Sequence, residues 1–345
     1  MSAESVPKHP MRHLSDKAIT RLRSGAELAD LNETRYRLIG QVARGGMGVV
    51  YAAEDKLLQR RVALKVLDVS GSEGELANRL MREARVLALL EHPGIVPVHE
   101  VGTLADGSVF YTMKFVEGKR LDQHIESVDS TPDRLRIFVR ICDAVAFAHD
   151  RGVLHRDLKP ANVMVGPFGE VLVMDWGLAK ILADVTGAEP NRDGDSIPRL
   201  PADGNDGNSS GTLHGRVMGT PGYMSPEQAS GKIELLDARS DIFSLGAILR
   251  YLLTEHLPPG PSSQRARSLD AICAKACALE REDRYAAVQD LAADVSRYLD
   301  GLAVSAHSES IFDKLARFYR QYRFFICLIA AYLLMRVLLI VVVKH

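Results

Sequence analysis

Tryptophan occurs once in 345 residues and cysteine four times. Four cysteines, Cys142, Cys273, Cys277 and Cys327, are too few for a disulfide scaffold. Cys273 and Cys277 stand four apart, a helical spacing, and no Cys/His quartet completes a zinc site, so they read as small core residues. An excess of charge is also missing. Lys plus Arg is 43, Asp plus Glu is 44, and the net charge is −1, which argues against a nucleic-acid protein held by phosphate neutralisation. The N-terminal stretch has no apolar run of signal-peptide length and carries Lys8, Arg12, Lys17, Arg21 and Arg23, which argues against secretion. Hydrophobic residues are 46% of the chain and charged residues 25%, enough to bury a core and to exclude disorder along the whole length.

The one long apolar run lies at the C-terminal side. Phe324 to Val343 holds a single charge, Arg336. Twenty helical residues span about 30 Å, the hydrocarbon thickness of a bilayer. Arg336 costs about 3 kcal/mol near a helix centre, which the strongly apolar neighbours outweigh. Lys314, Arg317, Arg320 and Arg323 precede the run, and only Lys344 and His345 follow it. The positive-inside rule then keeps the bulk of the chain cytoplasmic. The basic stretch 308–323 interleaves Ile311, Phe312, Leu315, Phe318, Tyr319 and Tyr322 at helical spacing, as in a helix lying at a lipid surface. A buried C-terminal core helix is the alternative, made weaker by the lack of a polar face.

Between these ends the chain falls into two parts. Residues 1–34 read as a flexible leader. From Tyr36 to Leu67 short β-branched runs alternate with glycine and polar turns, a strand pattern. Leu76 to Leu90 has helical spacing, Val109 to Met113 is strand-like, and helical stretches dominate afterwards, at 133–151, 240–254, 268–279 and 286–299. A strand-rich part followed by a helix-rich part predicts an α+β protein of two lobes. Residues 184–215 stand apart: Gly, Pro, Asp, Asn and Ser supply 20 of these 32 positions, so the segment is expected to be a mobile loop.

Chemistry concentrates in a few motifs. Arg44-Gly45-Gly46-Met47-Gly48-Val49-Val50 is glycine-rich between two strand-like runs, suited either to a phosphate cradle or to a plain hairpin turn. In Val62-Ala63-Leu64-Lys65-Val66, alternation puts Ala63 and Lys65 on one face, where Lys65 is either an exposed edge charge or a cleft charge. Glu83 falls on the stripe of Leu76, Leu80, Leu87 and Leu90. A carboxylate on a buried face needs a partner, and Lys65 is the natural one; a solvated margin is the other reading. Then comes His155-Arg156-Asp157-Leu158-Lys159-Pro160-Ala161-Asn162, and eighteen residues after Asp157 stands Asp175-Trp176-Gly177. Asp157, Asn162 and Asp175 are oxygen donors that a folded loop can bring together, and oxygen ligands with phosphate suit Mg²⁺.

Taken together, these motifs resemble the eukaryotic-type (Hanks-type) serine/threonine protein kinases, in family order and spacing from about Tyr36 to Leu299. The Gly-Gly-Met-Gly loop and the C-terminal span resemble the bacterial membrane-attached members. The resemblance implies a bilobal fold over 35–302, with a strand-rich N-lobe at about 35–115 and a helical C-lobe at about 116–302, followed by the basic helix 308–323 and a transmembrane helix 324–343. It implies ATP and Mg²⁺ as cofactors and phosphoryl transfer to Ser/Thr hydroxyls of proteins. Asp157 would accept or orient the substrate proton, and Lys159 would touch the γ-phosphate. Asn162 and Asp175 would hold the metal. Gly45, Gly48 and Val50 would cover the phosphates, and Lys65, paired with Glu83, would bind the α- and β-phosphates. Val42, Ala63, Met113, Lys114 and Val116 would surround the base, with Met113 as gatekeeper. His155 would be structural, Asp241 would anchor the loop around Asp157, and Glu227 would pair with Arg284. Arg156 implies control by phosphorylation, with Thr212 as first choice and Ser209 and Ser210 next.

The pattern departs from the family at Ala43, which replaces the first glycine of the phosphate loop, and at Trp176, which replaces the usual Phe. A non-catalytic pseudokinase scaffold at the membrane and a small-molecule phosphotransferase remain as competing functions. The expected location is the cell membrane, single-pass, with the kinase part cytoplasmic. Partners are protein substrates and the bilayer, not nucleic acid, with a homodimer left open.

Overall fold

The computed structural model describes residues 31, 34–45, 48–66, 73–104, 108–181, 220–254 and 264–307, and in the C-terminal stretch 324–325, 327–329, 331–332 and 335–336. The chain divides into two compact units, Met1–Leu80 with His99–Phe115, and Met81–Val98 with Val116–His345.

The first unit is built on an antiparallel sheet in the order β1-β2-β3-β5-β4. Its strands are β1 (Tyr36–Gly45), β2 (Gly48–Asp55), β3 (Arg60–Val66), β4 (Val98–Thr103) and β5 (Val109–Lys114). Side chains alternate between faces, so one face gathers Tyr36, Val49, Tyr51, Ala53, Val62, Leu64, Val66 and Phe110 into a core that Leu31 and Leu104 complete. The β1–β2 connection is tight, with Gly45 opposite Gly48. Gly48 has φ 143°, a conformation that side chains with a Cβ rarely adopt, which is why glycine stands there.

Between the sheet strands in sequence comes α1 (Glu73–Leu89). Leu80, Glu83, Leu87 and Leu90 are all at most 3% exposed, so the leucine stripe carries its carboxylate into the interior and the solvated-margin alternative falls.

The second unit is mainly helical. After a short helix α2 (Leu121–His124), its long helix α3 (Thr131–Asp150) starts at Ser130, whose hydroxyl accepts from the Asp133 amide, with a proline in the first turn. Leu135, Phe138, Ile141, Cys142 and Val145 recur at helical spacing and are buried. Around it stand α5 (Ala238–Thr254), α6 (Gln264–Ala276) and α7 (Val288–Leu299). A Cβ at Gly246 of α5 would come within 2.7 Å of Ala276 and Cys277, so glycine there permits the α5–α6 approach. Arg134, 1% exposed, donates to the carbonyls of Val128 (2.6 Å), Leu252 (2.9 Å) and Ile125 (3.1 Å), tying a loop and the end of α5 to α3. Cys273 is buried, which pushes its thiol up to about 12, Cys277 is half-buried, and both are free, as core residues should be.

Short strands complete this unit: β6 (Lys119–Arg120), β7 (Val153–Leu154), β8 (Val163–Val165), β9 (Val171–Val173) and β10 (Lys180–Ile181), paired as β6-β8-β9 and β10-β7. Element ends differ from the sequence expectation by at most four residues; α6, for instance, begins at Gln264 rather than 268, whereas α5 and α7 end at 254 and 299 as expected. The expected leader apart from residues 31 and 34, the stretch 184–215 expected as a mobile loop, with Ser209, Ser210 and Thr212, the stretch 308–323 and most of 324–343 lie outside the described residues. Among the described residues no helix is long and apolar enough to cross a membrane.

Candidate active site

The loop joining β7 to β8 holds His155 to Asn162, and α5 supplies its anchor. Asp241, 1% exposed, accepts from the backbone amides of His155 and Arg156, each at 2.8 Å, and from His149 Nε2 at 2.8 Å. Burial alone would raise this carboxyl; the hydrogen bond and charge of His149, with the amide of Arg156, hold it below the ordinary value. His155 is fully buried. Its Nε2 lies 3.0 Å from the Met174 carbonyl, its Nδ1 accepts from the Asp157 amide at 3.3 Å, and its ring lies 4.6 Å from that of Trp176. Both ring nitrogens are engaged with backbone, which suits a structural imidazole.

Asp157 is the centre of a short network. Lys159 Nζ donates to Asp157 Oδ2 at 2.7 Å and to Thr220 Oγ1 at 2.7 Å, and the Thr220 hydroxyl donates to Asp157 Oδ1 at 3.1 Å. Asn162 Nδ2 donates to the Asp157 carbonyl at 2.8 Å and to Oδ2 at 3.2 Å. With its amide nitrogen so used, the Asn162 oxygen is the atom left to face a ligand.

The β8–β9 ladder brings Asp175 to the same end. Val163 pairs with Val173, and the Met174 amide donates to the Asn162 carbonyl at 2.8 Å. Asp175 follows at once, exposed and in the left-handed region at φ 58°. Among the described residues no three His, Cys, Asp or Glu cluster into a metal cage. An amide oxygen and a carboxylate beside a polyphosphate are a fitting donor set for Mg²⁺, which binds through one or two carboxylates plus phosphates and water.

Downstream, Ser225 opens α4 (Pro226–Ala229) with a capping box closed by Gln228. Gln228 Nε2 donates to the Arg156 carbonyl at 2.8 Å, fastening this segment to the loop around Asp157. Glu227 receives both terminal nitrogens of Arg284, at 2.8 and 3.0 Å, and the Ser240 hydroxyl at 2.8 Å. Burial opposes ionisation of Glu227, but Arg284 and the other donors bring its pKa down to about 2. The Arg156 guanidinium is lowered by burial and by Arg82, against the pull of Asp241.

In the first unit, register sorts the remaining residues. Val50 pairs with Lys65 and Lys65 with Tyr111, while Ala63 pairs with Met113. Directly opposed residues share a face, so Val50, Ala63, Lys65, Tyr111 and Met113 stand together on the face opposite the core. Lys65 is 8% exposed on the central strand, which removes the edge-charge reading, and its Nζ lies 5.9 Å from the Tyr111 ring centre. Val42 and Lys114 are exposed and Val116 is half-buried.

Residues 36–311 match the family model described as protein kinase domain. The chain belongs to the protein kinase family. It is similar to the serine/threonine-protein kinase PknD of Chlamydia trachomatis, 38% identical over 303 residues and 77% of this chain, and to PknD of Protochlamydia amoebophila, 35% identical over 304 residues. The chain spans about a third of the length of these curated relatives, 32% and 30%. The crystal structure of the Mycobacterium tuberculosis PknI kinase domain is 25% identical, with TM-score 0.53 over 77% of this chain and 96% of that one. The chain is thus a bacterial Hanks-type kinase, with a strand-rich unit and a helical one.

Three further residues that touch the predicted ones are not singled out by the sequence reading, one in the first unit and two in the second. Tyr111 beside Lys65 follows only from the β3–β5 register, which sequence alternation does not fix. Gln228 was findable, since Ser225-Pro226-Glu227-Gln228 is a capping-box signature. His149 lies within the α3 periodicity and carries no local mark of its bond to Asp241.

Proposed function

We propose that this kinase is catalytically active and transfers the ATP γ-phosphoryl group, in line, to serine or threonine hydroxyls of proteins. The observation carrying this is the closed Asp157–Lys159–Thr220 network with Asn162 on its flank. A carboxylate held by a lysine and a threonine is a preoriented acceptor for a hydroxyl proton. The same lysine supplies positive charge where a γ-phosphate would be attacked. Asn162 and Asp175 are the proposed Mg²⁺ ligands; the metal would supply positive charge to offset the negative charge of the phosphates. Lys65, Glu83, Gly45, Gly48 and Val50, and Val42, Ala63, Met113, Lys114 and Val116 around the base, keep the roles that the resemblance implies.

The test is Asp157→Asn on the full chain. Phosphate incorporation from Mg-ATP should fall by about 10²–10⁴-fold while nucleotide binding stays near wild type. Full incorporation by the variant would remove the assignment.

Membrane attachment through residues 324–343 is part of the proposal, with the kinase part cytoplasmic. Its support is the apolar run itself and six large apolar side chains described there, Phe324, Phe325, Leu328, Ile329, Tyr332 and Met335, each more than half exposed. Partition of the full chain into liposomes, lost on truncation after 307, tests it. A second copy of the chain is the further partner proposed, read by sedimentation of the detergent-solubilised protein.

A further inference from the structure

Asp294 of α7 is fully buried and is not part of the site around Asp157. Its carboxylate is heavily used. Oδ2 accepts from the Tyr285 hydroxyl at 2.9 Å, the Ser305 hydroxyl at 2.7 Å and the Ala306 amide at 3.0 Å. Oδ1 accepts from the Ser305 amide at 2.7 Å and Arg297 at 3.1 Å. Three of these five donors belong to Ser305 and Ala306, which lie beyond the end of α7. The carboxylate is therefore a clamp that returns the chain onto the helix just before residue 308. Tyr285 and Val304, the residue before Ser305, are both buried.

Ser305 is the one clamp donor that combines an exposed position with a phosphorylatable hydroxyl. We propose that Ser305 is a phosphorylation site of this kinase and that its modification opens the Asp294 clamp. The proposal rests on the kinase activity proposed above. In the transfer, the Ser305 Oγ–H bond breaks and an Oγ–P bond forms to the γ-phosphorus. The bridging P–O bond of ATP breaks, the proton passes to the Asp157 carboxylate, and ADP leaves. The product places a charge of about −2 where a hydroxyl had donated to a buried carboxylate. The donor is lost, and two like charges face each other at hydrogen-bond range. Arg297, half exposed and the one cation on this carboxylate among the described residues, is drawn towards the phosphate. Asp294 thereby loses hydrogen bonds and charge compensation together, and release of the Ser305–Ala306 segment relieves both. What leaves the helix is the strand of chain leading towards the proposed membrane helix, so the modification lengthens the tether of the catalytic unit.

The experiment uses the full chain in detergent with Mg-ATP, phosphosite mapping by mass spectrometry, and amide hydrogen exchange at 304–307. Phosphate at Ser305 is expected, together with at least tenfold faster exchange at the Ser305 and Ala306 amides. Ser305→Glu should show the same acceleration without ATP. Ser305→Ala, which keeps both backbone bonds, should stay within a few fold of wild type after the same ATP treatment. Phosphate on other hydroxyls but never on Ser305 would overturn this proposal alone. So would unchanged exchange in phosphorylated protein and in Ser305→Glu. Absence of phosphate on every residue would overturn the kinase activity itself, and the phosphosite with it.

Discussion

Thr220 bridges Lys159 and Asp157: its hydroxyl accepts from the lysine at 2.7 Å and donates to the carboxylate at 3.1 Å. The lysine also reaches the carboxylate directly, so the threonine adds orientation more than charge. Thr220→Val should therefore lower kcat by about tenfold, the effect of misorienting a proton acceptor without deleting it. Thr220→Ser restores the hydroxyl and should recover most of the loss. Steady-state phosphorylation of a peptide at saturating ATP checks this; equal rates for the valine variant and wild type would count against the network.

Glu227 and Arg284 predict the acid limb of stability. The carboxyl is brought from an ordinary 4.5 to about 2, chiefly by Arg284 working against burial. A depressed carboxyl contributes its full stabilisation above about 4.5 and loses it as pH falls towards 2. The amount is on the order of 3 kcal/mol. Urea unfolding of wild type and Glu227→Gln should show a wide gap at pH 7 that narrows between pH 4.5 and 2. A gap independent of pH would mean that the pair is not what depresses this carboxyl.

Arg134 offers a third measurement. Its three carbonyl bonds lie in the interior, where an unpaired acceptor costs about 1–3 kcal/mol. Arg134→Met fills similar volume but donates nothing, so a loss of about 3 kcal/mol or more is expected in urea, with Arg134→Lys only partly better because an ammonium cannot span the same fork. A variant as stable as wild type would show that backbone rearrangement or water replaces the guanidinium.

These residues also mark where sequence stops being legible. The β3 alternation and the α1 leucine stripe foretold that Lys65 and Glu83 carry charge on apolar elements, because each signal is local and periodic. The loop 155–162 and Asp175 were recognisable through spacing and resemblance. Arg134, inside Thr131-Pro132-Asp133-Arg134-Leu135-Arg136, reads as one more surface charge near a helix start; only the approach of Leu252, 118 residues away, buries it. Asp294 likewise resembles an exposed acid until the returning chain covers it. Long-range burial of a charge leaves no periodic trace, so Asp157, Lys159 and Asn162 stand out in the sequence by spacing and resemblance, while the hydrogen bonds that join them to Thr220 and the clamp at Asp294 do not.

Trp176 gives the last prediction and a probe for the others. It is the single tryptophan, 1% exposed, with its indole N–H donating to the Val173 carbonyl at 3.3 Å and its ring against His155. Native emission should therefore be that of an apolar, shielded indole and shift red on unfolding in one transition with the helical signal of the second unit. Trp176→Phe removes the indole bond and part of the volume, a loss of about 1–3 kcal/mol read by circular dichroism. Because Asp175 precedes the indole directly, uptake of Mg²⁺ with ATP should alter emission in wild type and leave Asp175→Ala unchanged. Identical responses in the two proteins would take Asp175 out of the metal site and leave Asn162 as its remaining protein ligand.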